Sequence, residues 1–318
     1  MVSPERVKRK GFALITLLWV LAAASIILLR ATQQGRDTFN SARNRATLER
    51  ANWRAEACLE VLRSLADHEL ASADAHAPLN AQWVVLGDKL QAKLDSAQRT
   101  PWWPGCVVRI TANGSRLDVN HAPEAALVSL FHAALGTNRQ DLADALLDWR
   151  DADDTPRSEG AERSWYIGMR RIPPSNGTID DISQLRYIRG FEDSTFRAFV
   201  MELLGTDEGA VSVNNASAEV LQTIPGFTEE GARFVTDARG RGHLFADLND
   251  VLGRLPRTAA ESLLAHFPDA AATTTFQPMA WTFTIVARAG SPALPTTLEA
   301  RVTRSGNRAA IVRRRNWP

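Results

Sequence analysis

The sequence predicts an α+β fold in which a long N-terminal helix accompanies a small antiparallel sheet, with an all-helical domain inserted into that sheet. Three observations support this prediction. An apolar run near the N-terminus continues without a break into an amphipathic helix. Alternating apolar and polar residues, typical of strands, occur at about 106–120 and again from about 279 to the end. Between these stretches, from His121 to about Pro268, the pattern is helical.

The composition limits the possible functions. The chain has 318 residues, of which 45% are hydrophobic and 23% charged, so it can form a packed core in one or two domains. Its formal net charge of +1 argues against a broadly basic nucleic-acid-binding protein. The six histidines show no metal-ligand spacing, and the sequence contains no nucleophile-elbow motif. We therefore predict that the protein is not an enzyme.

The N-terminal apolar run is about long enough to cross a membrane. From Phe12 to Leu29 every residue is apolar or small except Thr16 and Ser25, and roughly 20 apolar residues suffice for a membrane-spanning helix. Basic residues precede the run, which predicts a cytoplasmic N-terminus. These residues are Arg6, Lys8, Arg9 and Lys10. A cleaved secretory signal is the alternative, but its candidate site at 21–25 lies inside the run.

This start of the chain resembles that of type IV pilin-like proteins. A basic leader, Gly11, Phe12, an apolar run and a long amphipathic helix carry the resemblance. It implies that a membrane peptidase cleaves between Gly11 and Phe12, that Phe12 is then methylated, and that the apolar helix is retained. An anchor that is never cleaved is the alternative. Thr16 is the fifth residue from Phe12, where pilin-like proteins usually have Glu, and the missing carboxylate fits a subunit at a filament tip.

Turn signals predict two hairpins. Asn113-Gly114 separates two short alternating runs within 106–120, and Ser305-Gly306-Asn307 separates two longer runs near the C-terminus. Asn-Gly is a strong signal for a two-residue hairpin turn. The sequence therefore places strands on both sides of the helical block.

The helical block contains an internal repeat. The pattern apolar-x-Val-Asn-x-Ala-x-x-x-x-Leu starts at Leu117 and again at Val211. Asn120 and Asn214 are predicted to cap the helices that follow, with Pro123 near the first turn.

Six carboxylates are concentrated in the loop at 148–162. They are Asp148, Asp151, Asp153, Asp154, Glu159 and Glu162. Carboxylates this dense repel one another unless a cation neutralises them, and calcium accepts six to eight oxygen ligands in irregular loops. The spacing is not that of an EF-hand, and a solvated acidic turn is the alternative. We expect a calcium site here in which backbone carbonyls and water complete the ligand set and not all six side chains take part.

The motif Asp-Trp-x-Asp-x-Asp-Asp-x-Pro-Arg-x-x-Gly-Ala-Glu at 148–162 resembles the calcium-binding loop of K-type minor pseudopilins of type II secretion systems. The resemblance also rests on the leader, Thr16, the Val-Asn-x-Ala element and Ile-Ser-Gln-Leu-Arg-Tyr-Ile-Arg-Gly-Phe at 182–191. Trp165-Tyr166 stands where that family usually has two tyrosines.

This resemblance implies a non-enzymatic subunit at the tip of a periplasmic pseudopilus, which starts or caps the filament and supports protein export across the outer membrane. The implied partners are the I-type and J-type minor pseudopilins, the prepilin peptidase and other secretion components. The chain would span the bacterial inner membrane once, with its bulk in the periplasm. The implied organisation is a leader at 1–11, a membrane helix at 12–30, a pilin-like domain at 31–117 and 269–318, and the inserted helical domain at 118–268.

The resemblance also bears on the two cysteines. The chain has no Cys-x-x-Cys pair, which disfavours a zinc or redox motif. In a pilin-like fold the sheet packs on the long helix, so Cys58 and Cys106 can meet as a disulfide in the oxidising periplasm. Two separate buried thiols are the alternative.

A second class of function comes from residues 221–256, which resemble a helix-hairpin-helix element of competence-type DNA receptors. Such hairpins usually read Gly-x-Gly so that backbone N–H groups can bind phosphate. Here the turn is Gly226-Phe227-Thr228, and two glutamates follow it. The nearby basic residues are Arg239, Arg241 and His243. We therefore do not expect nucleic acid as a partner. A tip subunit of a related type IV pilus is a third possibility.

Overall fold

The computed structural model describes residues 10–71, 80–97, 103 and 105–317, with side chains from Leu14 onward. Residues 1–9 of the expected leader lie outside the described residues. The fold class predicted from the sequence is confirmed: a long helix packs on an antiparallel sheet, and further helices form a second body between two of its strands.

The first helix, α1 (Lys10–Leu70), has 61 residues and is about 90 Å long. Its N-terminal half is exposed, and its apolar part is long and apolar enough to cross a membrane. From Ala51 onward one face of α1 is buried at helical spacing. The residues of that face are Ala51, Ala55, Cys58, Leu59, Leu62, Ala66 and Leu70.

The buried face of α1 lies against a four-stranded antiparallel sheet. Apolar side chains of the sheet alternate with outward-facing ones and form a core with α1, including Phe283, Ile285, Leu298 and Val302. The strand order is β1-β6-β7-β8. The strands are β1 (Cys106–Ala112), β6 (Trp281–Ala289), β7 (Leu294–Ser305) and β8 (Arg308–Trp317).

The two predicted hairpins have different outcomes. The C-terminal one is confirmed, because β7 and β8 pair directly across Gly306. The one at Asn113-Gly114 is wrong: the turn forms, with Gly114 at φ +82°, but β1 pairs with β6 instead of with the run that follows. Because that partner comes about 170 residues later, no local pattern could indicate it. The turn directs the chain out of the sheet into the inserted domain, and the Asn113 N–H donates to the Ala280 carbonyl (2.8 Å) where the chain returns.

Two helices that the sequence did not predict lie beside this junction. They are α2 (Ala81–Val84) and α3 (Leu86–Ala97). The Trp83 indole N–H donates to the Pro278 carbonyl (2.7 Å), and the Trp281 indole N–H donates to the Trp83 carbonyl (3.0 Å). A Cβ at Gly87 would overlap the Trp281 ring, so glycine permits this close approach. These contacts fix the chain where it re-enters the sheet.

The inserted domain has its own hydrophobic core, separate from the core of α1 and the sheet. It is not entirely helical, because its described residues include two short parallel strand pairs, β2-β3 and β4-β5. Its last helix also extends past the expected boundary at 268. The strands are β2 (Leu117–Asp118), β3 (Leu204–Gly205), β4 (Val211–Ser212) and β5 (Thr274–Thr275). The helices are α4 (Glu124–Leu135), α5 (Gln140–Arg150), α6 (Arg163–Gly168), α7 (Ser194–Val200), α8 (Ala218–Leu221), α9 (Glu229–Gly240), α10 (Leu248–Leu252), α11 (Arg257–Ala265) and α12 (Phe267–Thr273), with a 3-10 turn at Ile182–Tyr187.

The inserted domain lies at the end of the sheet that is remote from the apolar part of α1. Arg43 donates to the Ser291 carbonyl (2.9 Å), which places the β6-β7 turn beside the earlier part of α1. The insertion leaves and rejoins the sheet at the opposite end of β6, at Trp281.

Candidate metal centre

The internal repeat builds the frame of the site, though not through helix caps. The Asn120 amide donates to the Ile179 carbonyl (3.0 Å) and accepts from the Ile179 N–H (2.8 Å). Asn214 does the same with Phe245, at 2.8 and 2.9 Å. The predicted capping role is therefore wrong, and Pro123 and Ser217 occupy the N-cap positions of α4 and α8. A carboxamide carries both a donor and an acceptor, so it can pair with both polar groups of a distant backbone residue.

An arginine completes each repeat, which the sequence analysis missed. Arg150 donates to the carbonyls of Val119 and Ala122, and Arg239 donates to those of Val213 and Ala216. These carbonyls flank the repeat asparagines in the Val-Asn-x-Ala elements. The only sequence signal was an arginine at the end of the second helix in each repeat.

The two repeats differ in the length of chain that they enclose. Asn120 binds a backbone 59 residues further on, whereas Asn214 binds one 31 residues further on. Most of the difference lies after the arginine, in residues 151–178, and we call this segment the insert. The second repeat forms the same frame without such a segment, so the insert is not needed to build it.

The insert brings three of the six predicted ligands together. Asp148 lies in the last turn of α5, Asp151 is its C-cap, and Glu162 is the N-cap residue of α6. One carboxylate oxygen from each lies within 4.8 Å of the other two. Asp148 is 0% exposed and Glu162 1% exposed, while Asp151 is half-buried. A cavity of about 220 Å³ is lined by Asp151 together with Arg150 and Arg157.

Two of the three carboxylates have buried oxygens that lack a hydrogen-bond partner among the described residues. Both carboxylate oxygens of Glu162 and one of Asp151 are buried without a hydrogen bond. Burial, and then the charges of Asp148 and Asp151, raise the pKa of Glu162 to about 7. Burial also raises the pKa values of Asp148 and Asp151. Buried unpaired carboxylates are costly, so this arrangement favours a bound cation.

Backbone contacts hold Asp148 in place. The Arg157 N–H donates to its carboxylate at 3.2 Å, and the Arg157 Nε lies 3.5 Å from Oδ1. A Cβ at Gly160 would overlap the Asp148 carboxylate, so the chain can return this closely only with glycine there. The reversal of the chain at Gly160 also brings Glu162 back to the end of α5.

The other three predicted ligands do not join the cluster. Asp153 accepts from the Thr155 N–H (2.8 Å) within its own turn. Asp154 accepts from the Asn176 amide (3.0 Å) and lies 3.6 Å from Arg163. The Glu159 side chain is exposed. Sequence reasoning missed Asp144, one turn before Asp148 on α5, which is buried and accepts from the Glu159 N–H (3.0 Å).

The three carboxylates are close enough to share one divalent cation. One oxygen from each of Asp148, Asp151 and Glu162 lies within 4.8 Å of the others, so a single ion could contact all three. All three supply the hard oxygen ligands that calcium and magnesium prefer.

The remaining predicted positions lie outside this centre. Cys58 on α1 and Cys106 at the start of β1 form a disulfide, with Cα atoms 6.6 Å apart. Gly11 and Phe12 lie in the first turn of α1, and the Phe12 side chain is outside the described part. Trp165 and Tyr166 lie in α6, where Tyr166 is buried.

The helix-hairpin-helix turn offers little to a phosphate. The Thr228 side chain already accepts from the Gly231 N–H at the start of α9, and Glu229 and Glu230 follow it. Arg239 is occupied by the two repeat carbonyls. Arg233 pairs with Glu229, and His243 and Arg254 pair with Asp250. Arg241 is the other basic residue of this element.

Comparison with known proteins supports the resemblance. Residues 108–200 match the sequence model of a family described as type II secretion system (T2SS), protein K. The type II secretion system protein K of Pseudomonas aeruginosa is 33% identical over 104 residues, 32% of this chain and 31% of that protein. The protein of the same name from Dickeya chrysanthemi is 31% identical over 88 residues, 26% of this chain and 24% of that protein. These alignments span less than a third of either relative, and over the matched region they confirm the predicted resemblance to this family.

The fold likeness extends further than the sequence likeness. A chain in the crystal structure of the GspK-GspI-GspJ complex from the enterotoxigenic Escherichia coli type 2 secretion system aligns with a TM-score of 0.51. The alignment covers 87% of this chain and 99% of that chain, at 14% identity. This likeness supports the fold: a long helix on an antiparallel sheet, with additional helices.

Proposed function

We propose that this chain is a K-type minor pseudopilin of a type II secretion system, placed at the tip of the pseudopilus, where it starts or caps the filament. One observation carries the proposal: a helix-and-sheet body of the kind that forms filaments has a large second domain at the end remote from its apolar helix. A filament subunit must leave space above it for the next subunit. The inserted domain occupies that space, which favours the terminal position.

The proposal includes the membrane anchor. The exposed apolar part of α1 fits a single membrane span. The basic leader favours a cytoplasmic N-terminus in the bacterial inner membrane, with the domains in the periplasm. Cleavage by the prepilin peptidase between Gly11 and Phe12, followed by methylation of Phe12, would leave the span in place. N-terminal mass spectrometry of the protein from its native membrane tests this step, and an intact Met1 or a cut within 22–25 would contradict it.

The partners that we propose are the I-type and J-type minor pseudopilins. The support is the solved GspK-GspI-GspJ complex, because one chain of that complex has the same fold as this chain. Thr16 agrees with a position at the tip. A subunit at the tip has no subunit above it, so there is no neighbouring N-terminal amine for a carboxylate at this position to neutralise. A buried carboxylate without such a partner would be costly in lipid.

Calcium is the cation proposed for the centre formed by Asp148, Asp151 and Glu162. The support is the pair of unpartnered oxygens of Glu162 and the spacing of the three carboxylates. Calcium would neutralise the three charges and hold the start of α6 against the end of α5. The role is structural, since the surrounding described residues offer no reacting group.

The tip position can be tested by removing the inserted domain. Because the Asn113 N–H contacts the Ala280 carbonyl (2.8 Å), the two ends of the domain lie side by side. Joining Gly114 to Pro278 through a short Gly-Ser turn should therefore keep β1 and β6 paired. We expect the intact protein to label only filament tips in immunogold microscopy and the shortened protein to appear along the shaft.

Two controls make this experiment decisive. Formation of the Cys58–Cys106 disulfide in the shortened protein reports that α1 and β1 still pack together. Adding Thr16→Glu to the shortened protein should increase shaft incorporation if the missing carboxylate also restricts the position. Shaft labelling by the intact protein would refute the tip assignment. Co-purification with the I-type and J-type proteins tests the partners separately.

A further inference from the structure

The insert carries a second feature that the metal centre does not use. Ile167, Met169 and Ile172 are 59%, 58% and 56% exposed. Among described residues 114–277, five large hydrophobic side chains are at least 43% exposed. Three of the five, Ile167, Met169 and Ile172, lie within six positions of the chain. Single exposed apolar residues are common on protein surfaces, but a local group of three commonly marks an interaction site.

The backbone presents these side chains in a fixed arrangement. The N–H groups of Met169, Arg170 and Arg171 donate to carbonyls three to five residues earlier, at 2.8–3.0 Å. Arg170 has a φ of +54°, in the left-handed region that costs energy for a non-glycine residue. Trp165 anchors the turn, because Arg171 and Arg189 lie 5.5 and 5.2 Å from its ring centre. A turn held this way loses little conformational entropy on binding.

The charged residues of the segment that carries these apolar side chains are all arginines. Residues 163–172 include Arg163, Arg170 and Arg171 and contain no carboxylate. Arg171 pairs with Glu192, and Arg163 lies near Asp154. Among the described residues, Arg170 forms no ion pair. An apolar group bordered by guanidinium groups is complementary to apolar side chains bordered by carboxylates.

An anionic membrane has similar chemistry, but the anchor membrane is out of reach. The inserted domain lies beyond the far end of α1, and the 41 residues from Leu29 to Leu70 extend about 60 Å. The position of the domain therefore favours a protein partner.

We propose that Ile167, Met169 and Ile172, together with Arg163 and Arg170, form a docking surface for a protein segment that carries apolar side chains bordered by carboxylates. We call this set the docking turn. The surface is additional to the pseudopilin role, although the choice of a protein over a membrane as its partner rests on the proposed membrane anchor. The second repeat closes the same frame without an equivalent segment, so the frame itself does not require the docking turn.

The test uses the full chain in nanodiscs of phosphatidylcholine. The probe is a fluorescent helical peptide of roughly 18 residues with leucines on one face and glutamates elsewhere, and a matched peptide has lysines in place of the glutamates. We expect saturable binding of the acidic peptide that weakens with added salt, and no binding of the lysine peptide. Empty nanodiscs give the background.

Three variants locate the binding site. The double substitution Ile167→Ser and Ile172→Ser should weaken binding about tenfold or more, and Arg170→Glu several-fold. Leu264→Ser is the matched control, because Leu264 is 63% exposed in the same domain but lies on α11. Since all four side chains are exposed, the variants should fold, and circular dichroism with the melting temperature verifies this.

Several outcomes would overturn the docking turn. These are failure of the acidic peptide to bind, equal binding of the lysine peptide, and an equal loss of binding in Leu264→Ser. Binding to phosphatidylglycerol vesicles that the same variants abolish, without binding of the acidic peptide, would identify a lipid surface instead. None of these outcomes changes the filament-labelling result, so the two proposals fail separately.

Discussion

Replacing Glu162 by glutamine tests the electrostatics of the metal centre. Without a cation, the pKa of Glu162 stands at about 7 instead of 4.5, because its buried carboxylate faces Asp148 and Asp151. At about 1.4 kcal/mol per pH unit, keeping this group ionised above pH 7 destabilises the cation-free fold by about 3 kcal/mol. Glu162→Gln removes that charge. It should therefore stabilise the chelated protein at pH 8 by roughly 1–3 kcal/mol, with the lower end reflecting the unpaired amide.

Calcium should stabilise the wild type and have little effect on Glu162→Gln. At a hundredfold excess over Kd, a ligand that binds only the folded state adds about 2.7 kcal/mol. At about 2–4 °C per kcal/mol, the melting temperature of the wild type should rise by about 5–10 °C, and that of Glu162→Gln by little. Thermal unfolding of the full chain in detergent, with calcium and with chelator, measures both effects.

The pH dependence of stability tests the direction of the pKa shift of Glu162. Because the folded-state pKa of Glu162 is raised, the cation-free fold holds its proton more tightly than the unfolded chain between about pH 4.5 and 7. The contribution of this group to stability in chelator therefore decreases as pH rises through that window and is level above it. Protons compete with calcium, so the calcium-induced shift should be large at pH 8 and small at pH 5.5.

Glu159→Gln is the matched control, since Glu159 is exposed and lies outside the cluster three positions earlier. It should leave the calcium response intact. The reasoning is refuted if Glu159→Gln removes the response as completely as Glu162→Gln. It is also refuted if Glu162→Gln destabilises the chelated protein and retains the response.

Three further changes have definite expected outcomes. Gly160→Ala should displace the Asp148 carboxylate, because a Cβ there overlaps it, and calorimetry should record at least tenfold weaker calcium binding. Replacing Cys58 and Cys106 by serine opens a loop with a sequence separation of 48, which should cost about 4 kcal/mol in chemical denaturation; an unchanged midpoint would mean that the bond does not form. Asn214→Ala leaves buried polar groups of Phe245 unpaired and should cost about 3 kcal/mol, whereas a loss below 1 kcal/mol would show that the repeat frame tolerates its absence.

Local patterns in the sequence predicted the parts of the fold that depend on neighbouring residues. Helical spacing is continuous through α1, so its extent could be read directly. The β7-β8 hairpin was predictable because its turn and both its strands are adjacent in the sequence. The density of carboxylates at 148–162 likewise indicated the region in which Asp148, Asp151 and Glu162 come together.

Contacts between distant residues could not be predicted in this way. Asn113-Gly114 forms a turn, but its chemistry does not determine which strand pairs with β1. Asn120 has the residue type of a helix cap and instead binds Ile179, a choice made by packing 59 residues away. The selection of Asp148, Asp151 and Glu162 among six carboxylates depends on the chain reversal at Gly160, which spacing alone does not specify.

The comparison of the two repeats separates structure from function within the inserted domain. Both repeats use an asparagine and an arginine to close their frame, and the second does so with a much shorter chain. The first repeat therefore carries residues 151–178 as an addition that its frame does not require. Within that addition, Glu162 joins the metal centre and is followed at once by Arg163, the first residue of α6 and of the docking turn. A cation held by Glu162 would fix the start of this helix and, through it, the orientation of the docking turn, which would link the proposed metal centre to the proposed surface.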